Sequence, residues 1–220
     1  MIMQKPLRST AFEYPGNVKP VTDPQVTYSE LMSVVQSLPT ADMVRFVRSY
    51  VQERTPAAFA AKPLLWEAVR EFVAKRSGVH AREVGLSGSA QLGFGLAAGK
   101  GGTPFNPQGS DLDFFLVNAT LFSAIEKEAR LFISRQLEGS DFLDQAETAG
   151  RQIQRGYLDL NQVPANHERY PKIASARNDA SIVIDRLRVN GYELKPSHFR
   201  VYRDWAALGT WVSWSYRSLR

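Results

Sequence analysis

The chain has 220 residues, of which 44% are hydrophobic and 22% charged, and its formal net charge is +5. These values predict one globular domain with a sizeable core, and the positive charge permits a polyanionic partner without requiring one. The chain has no cysteine, which excludes disulfides and thiolate metal sites. It has no apolar run near the ~20 residues that cross a bilayer, which excludes a membrane span, and no apolar N-terminal segment. A cytoplasmic protein is therefore expected.

The N-terminal quarter of the sequence predicts an arm followed by helices. Residues 1–26 carry four prolines and no periodic pattern, which indicates an extended arm. A capping-box pattern from Thr27 to Glu30 marks the beginning of a helix. We therefore expect residues 27–63 to form a helical extension that precedes the core.

A helix, a strand and a turn are predicted next. The helix begins after Pro63 and ends at Gly78, because its apolar residues follow the helical period and glycine commonly ends helices. Residues 84–86 predict the first strand. Gly88 and Ser89 follow as a turn, and the glycines after them disfavour a long helix at this point.

Two aspartates introduce the second predicted strand. Residues 114–117 are apolar and β-prone, and Asp111 and Asp113 precede them at positions i and i+2, which share one face of a strand. Adjacent carboxylates repel each other, and a cation between them removes that cost. Oxygen ligands of this kind suit Mg²⁺. The spacing alone favours the other interpretation, a solvated strand end after a Ser-Asp turn.

The C-terminal half predicts alternating helices and strands. Arginines and lysines are frequent there, and the forked guanidinium of arginine suits phosphate. Trp205, Leu208 and Val212 are predicted to lie along one side of the last helix. The predicted helices cover residues 121–137, 145–155, 178–189 and 205–219, and the predicted strands cover residues 156–163 and 199–203.

The Gly-Ser turn and the Asp pair together resemble the signature of the DNA polymerase beta-type nucleotidyltransferase superfamily, in particular its small bacterial-type members. That signature is an apolar residue, Gly, Gly or Ser, a spacer, and then Asp-apolar-Asp/Glu-apolar. Here it reads Gly88-Ser89 and then Asp111-Leu112-Asp113-Phe114. The spacer is longer than usual, and residues 99–109, rich in turn-forming residues, are the predicted insertion. We expect this insertion to be a mobile loop beside the nucleotide site.

The resemblance implies an α+β fold, in which a small mixed β-sheet is flanked by helices. Residues 27–220 would form a single domain. Within it, residues 64–164 would be the catalytic core and residues 165–220 a C-terminal helix-strand-helix.

The resemblance also implies the roles of the site residues. Asp111 and Asp113 would bind two Mg²⁺ ions, with Mn²⁺ as a possible substitute. The nucleoside triphosphate would be bound by Gly88, Ser89 and Ser110, and Lys100 would reach its phosphates from the insertion.

Members of the superfamily supply a third carboxylate from a neighbouring strand, and Asp159 is the best candidate here. It lies between two leucines in a predicted strand, the expected apolar-acid-apolar pattern. Asp185 falls on the polar side of a predicted helix, and Asp204 is better explained as a helix cap. If residues 145–163 instead formed one helix, Asp159 would be a surface acid and the third ligand would be missing.

The predicted function is transfer of a nucleoside monophosphate from a triphosphate such as ATP to an acceptor, with release of pyrophosphate. The acceptor stays open: RNA, protein, a small molecule or a second nucleotide. The short chain favours a role such as that of a toxin-antitoxin or phage-defence enzyme. One alternative is a catalytically inactive nucleotide-binding or scaffold protein with the same fold. Another is a basic nucleic-acid-binding module.

Overall fold

The computed structural model describes residues 27–37, 40–48, 53–96, 101–136, 142–195 and 198–217. As predicted, the described chain is α+β, with a four-stranded mixed sheet flanked by helices. The predicted arm lies outside the described residues. The strands are β1 (Val84–Ser87), β2 (Asp113–Val117), β3 (Tyr157–Asp159) and β4 (Phe199–Tyr202), and the helices are α1 (Tyr28–Ser37), α2 (Thr40–Val47), α3 (Pro63–Ser77), α4 (Gly88–Leu92), α5 (Ala119–Gln136), α6 (Leu143–Gln154), α7 (Pro171–Leu187) and α8 (Trp205–Arg217).

The order of strands in the sheet is β1-β2-β4-β3. β1 is antiparallel to β2, β2 is parallel to β4, and β3 is antiparallel to β4. The last strand in the chain therefore lies next to the strand that begins at Asp113. Because of this order, the C-terminal segment contributes side chains beside the predicted acidic site.

Both faces of the sheet are covered by helices. Phe114 and Leu116 of β2 belong to a core formed with residues of α3, α5, α6 and α7. Phe115 and Val117, which alternate with them, belong to a second core with residues of α1, α2 and α8. In a strand that is buried on both faces, polar and apolar residues do not alternate. This explains the uninterrupted apolar run after Asp113.

Several predicted helix ends are confirmed. The backbone N–H of Thr27 donates to Oε2 of Glu30 at 2.8 Å, and the N–H of Glu30 donates to Oγ1 of Thr27 at 3.3 Å, which is the predicted capping box. The helix from Pro63 ends before Gly78, which has a φ of 69°. Asp204 caps α8, because its Oδ1 accepts from the N–H of Ala207 at 2.7 Å.

The prediction that a helix begins at residue 178 was wrong, because α7 begins at Pro171. Proline at the first turn of a helix has a suitable φ and lacks an N–H that would need a partner. Glu128 on α5 accepts the N–H groups of Lys172 and Ile173 at 2.9 and 3.0 Å. The first turn is thus stabilised by a residue more than forty positions earlier in the chain.

One other prediction needs correction. The strand predicted for residues 156–163 ends at Asp159, because its carboxylate accepts from the N–H of Asn161 and the chain continues as a 3₁₀ turn, Leu160–Gln162. Trp205 does not share the burial of Leu208: it is 43% exposed. As the first residue of α8, Trp205 lies beyond the packed part of the helix and lines an open cavity.

The packing of β1 on β2 predicts the effect of adding one methyl group at Gly85. A Cβ there would lie 2.2 Å from Cζ of the opposite Phe115, which is 2% exposed and packed in the second core. We expect Gly85→Ala to lower the free energy of unfolding by about 1–3 kcal/mol, measured by urea denaturation. Gly150→Ala in α6 is the control: its methyl would lie 4.0 Å from Ile133, and helix propensity should add about 0.5–1 kcal/mol. Equal stability of Gly85→Ala and the wild type would contradict the packing.

Candidate metal centre

The predicted acids lie where β2 begins. Asp113 is its first residue, and Asp111 precedes it by two positions. Asp113 pairs with Ser87, the last residue of β1, whose hydroxyl donates to the Asp113 carbonyl at 3.3 Å. The end of β1 therefore places the predicted Gly-Ser turn beside the acids.

Gly88 satisfies two constraints at this turn. Its φ is 67°, in the region that favours glycine, and a Cβ on it would lie 2.5 Å from Oδ2 of Asp113. Any other residue would be strained and would collide with the carboxylate. Ser89 follows as the second residue of the short α4. The structure thus brings Gly88 and Asp113 together, and the binding of a nucleotide by Gly88 and Ser89 stays a prediction.

His198 joins the two aspartates in one group. One ligand atom from each of Asp111, Asp113 and His198 lies within 4.8 Å of the others, and all three residues are half-buried. Metal bonds of about 2.1–2.4 Å place two ligands of one cation about 4–5 Å apart at most. The donor set of two carboxylates and one imidazole therefore fits a single divalent cation.

The environment of Asp113 also favours a cation. Burial raises the pKa of Asp113, the Arg200 guanidinium acts against this rise, and the Asp111 carboxylate adds to it. The ionised form of Asp113 is therefore disfavoured by desolvation and by a like charge nearby. A bound cation would offset both effects.

Asp159 lies behind this group rather than in it. Its side chain is 8% exposed and contacts His198 Nδ1 and Arg200 Nε, both at 3.3 Å. Asp159 pairs with Arg200 across β3 and β4, and β4 separates β3 from β2. Two strand spacings of about 4.8 Å thus lie between the strands of Asp159 and Asp113. The role of Asp159 as a direct ligand stays a prediction.

The net charge around the centre is negative, which favours a divalent cation. Asp111, Asp113 and Asp159 contribute three negative charges, and Arg200 contributes one positive charge. With His198 neutral, the five side chains sum to two negative charges. Arg200 therefore stabilises the acids only in part, and a divalent cation would complete the neutralisation.

The remaining predicted nucleotide ligands are Lys100, in the insertion, and Ser110, directly after it. Ser110 Oγ accepts from the N–H of Asn106 at 3.0 Å, and the Ser110 carbonyl accepts from the N–H of Lys195 at 3.0 Å. Lys100 lies outside the described residues. The part of the insertion that is described forms no helix, and its one bridge pairs Pro104 with Phe94. Its mobility stays a prediction.

Sequence reasoning missed His198 and singled out Arg200 only as one of many basic residues. His198 has no ligand spacing to the aspartates in sequence, and its place depends on the parallel pairing of β4 with β2. Arg200 offered a signal: it is a charged residue between Phe199 and Val201 in an otherwise apolar strand. A charge in such a strand commonly has a buried partner.

A separate cavity of about 670 Å³ lies near the opposite end of β1. Arg48, Arg70, Arg82, Glu53 and Trp205 line it. Its three guanidinium groups lie away from the acids, as the nucleic-acid-binding alternative requires. That alternative stays a prediction.

Comparison of the chain with protein-family models, with curated proteins and with solved structures gave no match. In the part of the chain that the structure describes, no helix is long and apolar enough to cross a membrane. The class of protein must therefore be argued from the geometry of the site.

The metal centre predicts a specific effect of Asp113→Asn. This change removes the charge that burial and Asp111 disfavour, so without metal the melting temperature should stay level or rise. The increase in melting temperature that Mn²⁺ or Mg²⁺ causes in the wild type should be lost. Differential scanning fluorimetry with and without each cation measures both effects.

Asp185→Asn is the matched control. Asp185 is 65% exposed and pairs only with Arg188 on the same helix surface. This variant should keep the full cation-dependent shift. If Asp113→Asn keeps that shift as well, the cation does not bind at Asp113.

Proposed function

We propose that the protein is a metal-dependent nucleotidyltransferase, which moves a nucleoside monophosphate from a triphosphate to an acceptor. The observation that carries the proposal is the approach of Asp113 to the Gly88 backbone, with Asp111 and His198 beside it. This joins the turn and the acid pair of the superfamily signature in one place. The α+β fold supports the proposal.

The side chains present fit a divalent cation. Asp111, Asp113 and His198 would hold it: carboxylate oxygens suit Mg²⁺, and an imidazole nitrogen also suits Mn²⁺. When bound, the cation would neutralise phosphate charge and assist attack by the acceptor oxygen. The second ion that the superfamily uses stays a prediction.

The transfer forms and breaks one bond at the α-phosphorus. The acceptor oxygen bonds to this phosphorus, and the bond to the oxygen that bridges to the β-phosphate breaks. Pyrophosphate leaves with the electron pair, and the acceptor hydroxyl loses its proton to solvent. Because Gly88 lacks a side chain, a triphosphate can approach the backbone of the turn close to Asp113.

Asp159 acts through His198 in this proposal. When the imidazole carries its proton on Nδ1, it donates to Oδ2 of Asp159, and the lone pair of Nε2 is free for a metal. Asn161 Nδ2 lies 3.1 Å from the same Nδ1 but is itself a donor, so in this tautomer the Asp159 carboxylate is the acceptor that fixes the ring. Asp159 is then a positioning residue, whose charge also fixes Arg200.

The reaction class is tested with two labels. Incubation of the protein with Mg²⁺ or Mn²⁺, fractionated cell extract and [α-³²P]NTP should transfer label to one fraction, whereas [γ-³²P]NTP should yield labelled pyrophosphate. Asp111→Ala and Asp113→Ala should each reduce transfer more than about a hundredfold, the scale of a lost electrostatic contribution to phosphoryl transfer. Asp185→Ala is the control and should keep full activity.

Transfer of the γ-label to an acceptor would contradict the proposal, because it indicates a kinase. Binding of the triphosphate without any transfer would favour the alternative, an inactive nucleotide-binding protein of the same fold.

The positioning role of Asp159 is tested by a double-mutant cycle on Mn²⁺ affinity. Asp159→Asn alone should weaken Mn²⁺ binding by about tenfold, the usual effect of losing a partner behind a metal-binding histidine. In a His198→Asp background, Asp159→Asn should cause no further loss, because Asp159 would have no imidazole to orient. Calorimetric titration measures all four affinities. Additive losses would instead support Asp159 as a direct ligand.

A further inference from the structure

A cavity of about 530 Å³ lies next to the metal centre, between α7, the beginning of β4 and the segment after β3. Its volume is within the range of about 300–1,000 Å³ that small-molecule sites occupy. Its polar lining consists of Asn161, His167, Arg177, Asn178, Ser181 and His198.

His198 belongs to both the cavity and the metal centre. A molecule in the cavity would therefore contact the side chain that lies within 4.8 Å of the two carboxylates. The Gly88 turn follows β1, on the other side of β2 from β4. The acid pair thus separates the turn from the cavity, so one substrate can approach from each side.

Small side chains of α7 create the space. Ala174 and Ala180 line the cavity and are 2% and 3% exposed, so larger residues at these positions would fill it. Arg177 is fixed at its wall, because its Nη1 donates to the Val163 carbonyl at 2.7 Å. A guanidinium has five N–H donors, so most of them stay available for a ligand.

The chemistry of the lining selects a class of ligand. The described lining residues offer a guanidinium, two imidazoles, two amides and a hydroxyl, and they include no carboxylate. Such a set attracts an anion and donates hydrogen bonds to phosphate and hydroxyl oxygens. A nucleoside or sugar monophosphate has this chemistry and this size.

We propose that the cavity binds the acceptor, and that the acceptor is a small molecule with one phosphate group and a free hydroxyl. Its phosphate would contact Arg177, and its hydroxyl oxygen would be the nucleophile that attacks the α-phosphorus from the side of His198. This inference rests on the proposed function, but binding to the cavity can be measured without catalysis.

The binding test uses AMP and ribose 5-phosphate as probes, with EDTA present so that no cation contributes. Calorimetric titration should show saturable binding of at least one probe to the wild type. Arg177→Gln removes the charge and Ser181→Leu blocks the exposed rim, and each should weaken binding about tenfold or more. Ser175→Leu is the matched control, because Ser175 is exposed on the same helix and does not line the cavity.

The outcomes separate this inference from the proposed function. Asp113→Asn should bind the probes as the wild type does, and Ser181→Leu should keep the cation-dependent rise in melting temperature. Failure of the wild type to bind either probe, or equal binding by Ser181→Leu and Ser175→Leu, would overturn the cavity as the binding site. If the probes bind but no nucleotidyl transfer is found, the proposed function fails, and the acceptor role of the cavity fails with it. Label found only on RNA or protein would overturn the small-molecule class of the acceptor.

Discussion

Asp113 places a carboxylate at the first position of a strand whose next four residues are buried, with a second carboxylate two positions earlier. Desolvation and the like charge of Asp111 both raise the pKa of Asp113 and so disfavour its ionised form. Arg200 compensates only one of the three nearby negative charges, so the fold maintains an unfavourable charge arrangement in its free state. Such arrangements are typical of functional sites, where a ligand supplies the missing charge. This unfavourable charge arrangement accounts for the geometry of Gly88, the position of His198 and the burial of Asp159.

The order of the strands determines which side chains lie close to this pair of carboxylates. β4 lies between β2 and β3, and it places Arg200 and His198 within reach of both Asp113 and Asp159. Had β3 been next to β2, Asp159 would have been the neighbour of Asp113. The His198 imidazole lies beside Asp111 and Asp113, and Asp159 contacts that imidazole. A nitrogen ligand shifts the metal preference from Mg²⁺ alone toward Mn²⁺.

Local features were predictable from the sequence, and features that depend on distant contacts were not. The capping box at Thr27 and the end of α3 at Gly78 follow from neighbouring residues, and so does the closeness of the acid pair. The beginning of α7 has a local signal in Pro171, but the partner of its first N–H groups is Glu128 of another helix, which no local pattern contains. The role of His198 depends on the parallel pairing of β4 with β2. The turn and the aspartates could thus be found from spacing, but the approach of His198 to them required the topology.

The central claim is that Asp111, Asp113 and His198 bind one divalent cation. The most direct measurement is anomalous diffraction from crystals grown with Mn²⁺ and a non-hydrolysable nucleoside triphosphate, recorded on both sides of the manganese absorption edge. The account predicts an anomalous peak about 2.0–2.4 Å from a carboxylate oxygen of each aspartate and from a ring nitrogen of His198. Full occupancy of manganese elsewhere, with no peak between these three side chains, would contradict it.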